Sequence, residues 1–148
     1  MNRNLEARRD SLLISTDPHL LDLDAICAFM AQTYWAPERP RHRIEASLQN
    51  SLVFGVYDGR RQVGMARIVT DYVTFAWLCD VFIDQQYRGR GIGKWLMETI
   101  LSHPDIAGLK RVLLTTDDAH GLYSRYGFSV LVFPENWMER VREDLRKA

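Results

Sequence analysis

Between Val81-Phe82-Ile83 and an amphipathic stretch that begins at Ile92 lies Arg88-Gly89-Arg90-Gly91-Ile92-Gly93-Lys94, the segment of this sequence with the clearest chemical potential. A strand that enters a glycine-rich turn and opens a helix leaves main-chain N–H groups unpaired beside the positive end of the helix dipole, an arrangement that suits phosphate. Glycine lets a ligand approach the backbone and permits positive φ. Two familiar phosphate loops do not fit the spacing. A P-loop ending in Gly93-Lys94 would need glycine at 88 and a hydroxyl at 95, where Arg88 and Trp95 stand. A dinucleotide fingerprint would need a third glycine at 94, where Lys94 stands, inside a parallel unit that the preceding antiparallel pattern does not offer. Arg88-x-x-Gly91-x-Gly93 remains.

The elements that must hold this turn can be read from periodicity. Ser11 to Ser15 suggests a first strand, and Thr16-Asp17-Pro18 supplies a cap and a proline suited to a first helical turn. Leu20, Leu23, Ile26, Cys27, Met30 and Ala31 then recur at helical spacing until the prolines at 37 and 40. A second helix is predicted over Arg41 to Gln49. Leu52 to Tyr57 and Gln62 to Thr70 read as a hairpin around Asp58-Gly59, with a third strand at about Thr74 to Ile83. A helix over Gly91 to Ser102, a buried strand over Arg111 to Thr116, a short helix over Ala119 to Tyr126 and a strand over Phe128 to Phe133 follow. At the C-terminus, within 134–148, a helix is predicted over Asn136 to Lys147 with Trp137, Val141 and Leu145 on one face; it reads as packed on its own domain, with a dimer contact as the alternative. Residues 1–10 are polar and read as a flexible arm.

With these elements around it, the turn resembles the pyrophosphate loop [Q/R]-x-x-G-x-[G/A] of the Gcn5-related N-acetyltransferases (GNAT), which follows the fourth strand and precedes the third helix. Leu122-Tyr123-Ser124-Arg125-Tyr126-Gly127-Phe128 is similar to a second segment of that family, L-Y-x-x-x-G-F. The resemblance spans about Leu12 to Phe133, with specific motifs from Val81 to Phe128; across Thr115 to Phe128 it is most similar to an uncharacterised bacterial subgroup. It implies an α/β (α+β) fold: a mixed, mostly antiparallel sheet of about six to seven strands with helices on both faces, in a single domain over 1–148.

The activity implied is N-acetyl transfer from acetyl-CoA, as co-substrate, to a primary amine by direct attack in a ternary complex; a non-catalytic acyl-CoA sensor or interaction module is the alternative. Val81, Phe82 and Ile83 match the strand that binds the pantetheine arm through its backbone. Arg88, Gly89, Arg90, Gly91, Ile92, Gly93 and Lys94 match the pyrophosphate turn, although Arg90 reads equally as a solvated surface arginine. Tyr123 matches the tyrosine that protonates the leaving thiolate. Two positions depart from the family. Thr116 stands where many members place an asparagine on the pantetheine arm, and Cys79 stands where several place a glutamate or histidine base. Asp80 is then the base candidate on that strand, although alternation points it to the opposite face unless a bulge intervenes, and an ion-paired structural aspartate is the competing reading. Asp117, Asp118 or a water chain are the other candidates. Tyr34 and Trp35 lie where the family selects its acceptor, and read either as a substrate contact or as an aromatic plug.

Composition narrows the partners. With 19 basic and 19 acidic residues in 148, the chain lacks the positive field of a general nucleic-acid or anionic-membrane binder. Asp80 interrupts the longest apolar run before it reaches membrane-spanning length, and the first ten residues hold no apolar signal core. The two cysteines, Cys27 and Cys79, each lie among apolar neighbours rather than in a Cys-x-x-Cys spacing that could hold metal or run redox exchange. The expectation is therefore a soluble, cytoplasmic protein without a metal, acting on a small-molecule or protein amine, with a homodimer left open because many members form one.

Overall fold

The computed structural model describes residues 4–148. In chain order it contains β1 (Glu6–Arg9), β2 (Leu12–Ser15), α1 (Leu23–Ala31), α2 (Arg41–Gln49), β3 (Leu52–Asp58), β4 (Arg61–Thr70), β5 (Phe75–Ile83), α3 (Ile92–Ser102), α4 (Pro104–Ala107), β6 (Arg111–Leu113) and α5 (His120–Ser124). The strands form one six-stranded sheet in sequential order, antiparallel throughout except for the parallel pair of β5 with β6. This is the mixed, mostly antiparallel architecture expected from the sequence.

Alternation sorts the sheet residues into two cores. On one face Phe54, Val56, Ile68 and Leu78 pack against Ile92, Leu96 and Ile100 of α3. On the other, Val53, Met65 and Phe82 meet Ile26, Phe29 and Met30 of α1 and Ile44 of α2, with the Phe29 and Phe82 rings stacked at 4.7 Å. Helix α1 starts later than expected. Asp17 caps only a single 3-10 turn at Pro18–Leu20, and Asp22 caps α1 by accepting from the Ala25 N–H.

Three local expectations need correction. Residues 6–9 are not a flexible arm; they pair with β2 from Glu6↔Ser15 to Arg9↔Leu12 as the sheet's edge strand, using the backbone groups that β2 leaves open on that side. Met1 to Arg3 lie outside the described residues. Phe128 to Phe133 does not join the sheet. Its alternation is real, but β6 is only three residues long and offers little edge to pair with, so Val130 and Val132 are each 79% exposed. The C-terminal helix over 134–148 is also absent. That stretch holds two 3-10 turns, Pro134–Asn136 and Glu143–Leu145, and no groove buries the stripe: Trp137 and Val141 stay partly exposed. A helix of this length has little stability without such packing.

The feature that shapes the functional region is a bulge in β5. Pairing runs from Arg67↔Cys79 to Met65↔Phe82, so three steps along β5 match two along β4. Asp80 occupies the bulge at φ 50. Gly64 packs closely beside it, and a β-carbon there would stand 2.9 Å from the Phe82 carbonyl oxygen and 2.9 Å from Ile83 Cδ1. Gly64→Ala should therefore cost about 1–3 kcal/mol through overpacking against backbone, read as a lower urea midpoint with an unchanged slope.

Candidate active site

Past Trp77↔Leu113 the parallel strands β5 and β6 part. The gap opens into a cleft of about 950 Å³ walled by the downstream half of β5, the glycine-rich turn, residues 114–119, Tyr123 on α5, and residues 32–35 with Arg39 from the α1–α2 connection. Every expected site residue except Arg90 and Lys94 lines it.

At one end the chain leaves donors open. Gly89 and Gly91 both adopt φ 77, a conformation that disfavours any other residue, and no side chain caps α3. The Trp95 N–H bonds to the Gly91 carbonyl as the first paired amide of α3. Among the described residues, the amides from Gly89 to Lys94 have no acceptor. The two arginines of the turn are anchored to main chain, Arg88 Nε to the Ile83 carbonyl at 2.9 Å and Arg90 Nη2 to the Gln86 carbonyl at 3.2 Å. Arg88 also lies over the Phe82 ring, and Arg90 over the Tyr87 ring.

At the other end a buried carboxylate meets three donors. Asp80 Oδ2 accepts from Arg67 Nε at 2.7 Å and from Arg39 Nη1 at 2.8 Å, while Oδ1 accepts from Trp35 Nε1 at 2.9 Å. The side chains of Asp80, Arg67 and Arg39 are 3%, 9% and 17% exposed. Burial alone would raise the Asp80 carboxyl; the guanidiniums of Arg67 and Arg39 outweigh it and hold the group below the usual carboxylate range. Asp80 is thus a poor proton acceptor at neutral pH. The bulge does turn it from the alternation, but into an ion pair rather than toward catalysis. Trp35 accordingly has a structural bond in addition to its place on the cleft wall.

Cys79 does not replace a base either. Burial pushes its thiol up to about 12, and its S–H donates to the Arg67 carbonyl. Tyr123 is packed edge-on against Phe128, and burial raises its pKa, with Tyr34 and Asp118 adding to the shift. Its hydroxyl has no partner among the described residues and belongs to the cleft wall. Thr116 Oγ1 accepts the Ala119 N–H, which leaves its own O–H to donate. Tyr34 stacks edge-on with Trp35 and accepts the Asp117 N–H at 3.1 Å, which joins the two walls.

Comparison with known proteins agrees with this geometry. Residues 49–130 match the family described as an acetyltransferase (GNAT) domain. The chain belongs to the GNAT acetyltransferases. A Gibberella zeae relative named as an acetyltransferase is 33% identical over 140 residues, covering 79% of this chain and 78% of the relative. A crystal structure from Xanthomonas campestris pv. campestris, assigned to the GNAT family, is 44% identical with a TM-score of 0.88, covering 93% of this chain and 97% of that one. A GNAT acetyltransferase from Elizabethkingia anophelis with acetyl-CoA bound shares the fold at a TM-score of 0.64 and 14% identity, over 92% of this chain and 91% of that one. The present GNAT chain is therefore an acetyl-CoA-dependent acyltransferase, and its open amides, positive-φ glycines and long cleft fit that co-substrate.

Sequence reasoning missed Arg39 and Arg67. Arg67 was within reach, because the hairpin register places it opposite Cys79, whereas no local pattern ties Arg39 to a strand 41 positions away. Asp80→Asn should destabilise the fold by about 3–5 kcal/mol by leaving two guanidiniums without their counter-ion. Because the folded carboxyl is depressed, its contribution is fully present above the unfolded value of about 4 and is lost as pH falls through the folded value. Urea midpoints measured from pH 7 down to pH 3 should show an acid-side decline attributable to this group in wild type and absent in the variant.

Proposed function

We propose that this GNAT enzyme transfers the acetyl group to a primary amine by direct attack in a ternary complex, with Tyr123 as the acid. The observation that carries the reading is one continuous cleft joining the open amides of the glycine-rich turn, the free Tyr123 hydroxyl and the Tyr34–Trp35 pair. Acetyl-CoA supplies a thioester whose carbonyl carbon forms the new bond to the amine nitrogen. Val81 and Ile83 present main-chain groups to the pantetheine arm on the side where β5 has parted from β6, and Thr116 adds its O–H. The Ile83 carbonyl is already engaged by Arg88, so the N–H groups and the Val81 carbonyl are the useful ones.

Tyr123 keeps its proton at neutral pH because burial raises its pKa, and it delivers that proton to sulfur as the carbon–sulfur bond breaks. With Asp80 pinned and Cys79 neutral, the amine loses its proton to water or through Asp117 and Asp118, the remaining carboxylates on the cleft wall. The binding-only alternative is not favoured by the family assignment.

The test is release of free thiol from acetyl-CoA across a panel of polyamines, amino acids, aminoglycosides and lysine peptides. For the active acceptor, kcat/KM should rise about tenfold per pH unit below the amine's pKa of about 10. Tyr123→Phe should lower kcat about a hundredfold while the Kd for acetyl-CoA stays within about twofold. Loss of binding in place of turnover would remove Tyr123 from the acid role.

A further inference from the structure

We infer that Arg9, at the tip of the β1–β2 hairpin, holds a phosphate group of the coenzyme. The inference rests on the coenzyme reading of the glycine-rich turn and assigns to it a residue from outside both family motifs. Arg9 ends β1 and pairs with Leu12, and Asp10 at φ 55 turns the chain between the two strands. The turn thereby carries the side chain across the start of α3. Arg9 Nη2 lies 3.9 Å from where a β-carbon on Gly91 would stand, and the guanidinium carbon is 5.9 Å from the centre of the Trp95 ring. A cation is thus held beside the amides that have no acceptor.

The charge balance around Arg9 points to an anionic ligand. Among the described residues Arg9 has no hydrogen-bond acceptor and no carboxylate partner, whereas its neighbour Arg8 pairs with Glu6 at 3.7 Å. Arg9 and Arg90 both line a hollow of about 230 Å³ whose wall also includes Asp10, Asp58 and Tyr87. Asp58 is engaged elsewhere: it accepts the Tyr87 hydroxyl at 2.7 Å, and bonds from Tyr87 and Ser11 hold its carboxyl low. Asp10 forms no ion pair with either arginine. A guanidinium with free N–H groups next to a helix N-terminus is suited to a phosphate oxygen by charge and by its fork of donors.

Coenzyme A carries two such groups, the pyrophosphate and the 3′-phosphate, and ligand truncation separates them. Calorimetry on the full chain would use acetyl-CoA, acetyl-dephospho-CoA without the 3′-phosphate, and acetyl-pantetheine without any nucleotide phosphate. Arg9→Gln should weaken acetyl-CoA about tenfold, more at low salt, and leave acetyl-pantetheine unchanged. Arg9→Lys should recover part of the loss, and Arg8→Gln, on the same hairpin, should bind as wild type does. A loss that persists with acetyl-dephospho-CoA supports the inference at the pyrophosphate, and a loss that disappears supports it at the 3′-phosphate. Equal affinity of Arg9→Gln and wild type for acetyl-CoA overturns it, as does an equal loss for acetyl-pantetheine. Failure of wild type itself to bind acetyl-CoA would bring down the coenzyme reading of the turn and this inference together.

Discussion

Asp80 is held in a left-handed backbone conformation in the middle of a strand by three donors, two from the α1–α2 connection and one from β4. A non-glycine residue there is disfavoured by roughly 1–2 kcal/mol, and a buried carboxylate adds a desolvation penalty. Arg67, Arg39 and Trp35 offset both by meeting the two oxygens with charge-assisted or indole hydrogen bonds. The bulge this stabilises gives β5 extra twist at the point where it has left β6, so the downstream half of the strand runs free along one side toward the turn. That bulged half of the strand forms one wall of the cleft.

The two ends of the cleft treat polar groups in opposite ways. Around Asp80 the charges are buried and matched, and that end serves structure. At the start of α3 the amides have no acceptor among the described residues, with a positive-φ glycine where Ser, Thr, Asp or Asn would ordinarily cap. Glycine in place of such a cap sacrifices roughly a few tenths of a kcal/mol of helix stability. The helix tolerates it because Ile92, Leu96, Met97 and Ile100 are almost fully buried against the sheet. Binding capacity thus sits where packing, rather than capping, holds the element in place.

What could be read from the sequence divides along the same line. The glycine-rich turn, the β3–β4 hairpin and α2 are local: each is set by turn chemistry or periodicity within about ten residues, and each was legible. The Asp80 cluster was not, because it joins residues 13, 41 and 45 positions apart. The errors at both termini have a shared cause. Glu6–Arg9 looked too polar for a strand and Phe128 to Phe133 looked apolar enough for one, yet the outcome depended on whether a neighbouring edge was available. Beside β2 there was a free edge; beside the short β6 there was not enough. Strand formation is a property of pairs, and periodicity describes only one member.

Tyr34 connects the acceptor loop to the proton donor. Its hydroxyl accepts the Asp117 amide, the adjacent Thr116 accepts the Ala119 amide, and Ala119 begins the short helix that carries Tyr123. Trp35, set edge-on to Tyr34, is in turn bonded to Asp80. The bent strand, the aromatic pair and the helix bearing the acid therefore form one bonded path around the cleft. Arg39 extends it outward, since its Nε donates to the main-chain oxygen of Ala148 and the Glu38 N–H to that of Lys147. The irregular C-terminal stretch, which adds no strand and no helix to the fold, thereby anchors the guanidinium that helps hold the bulge.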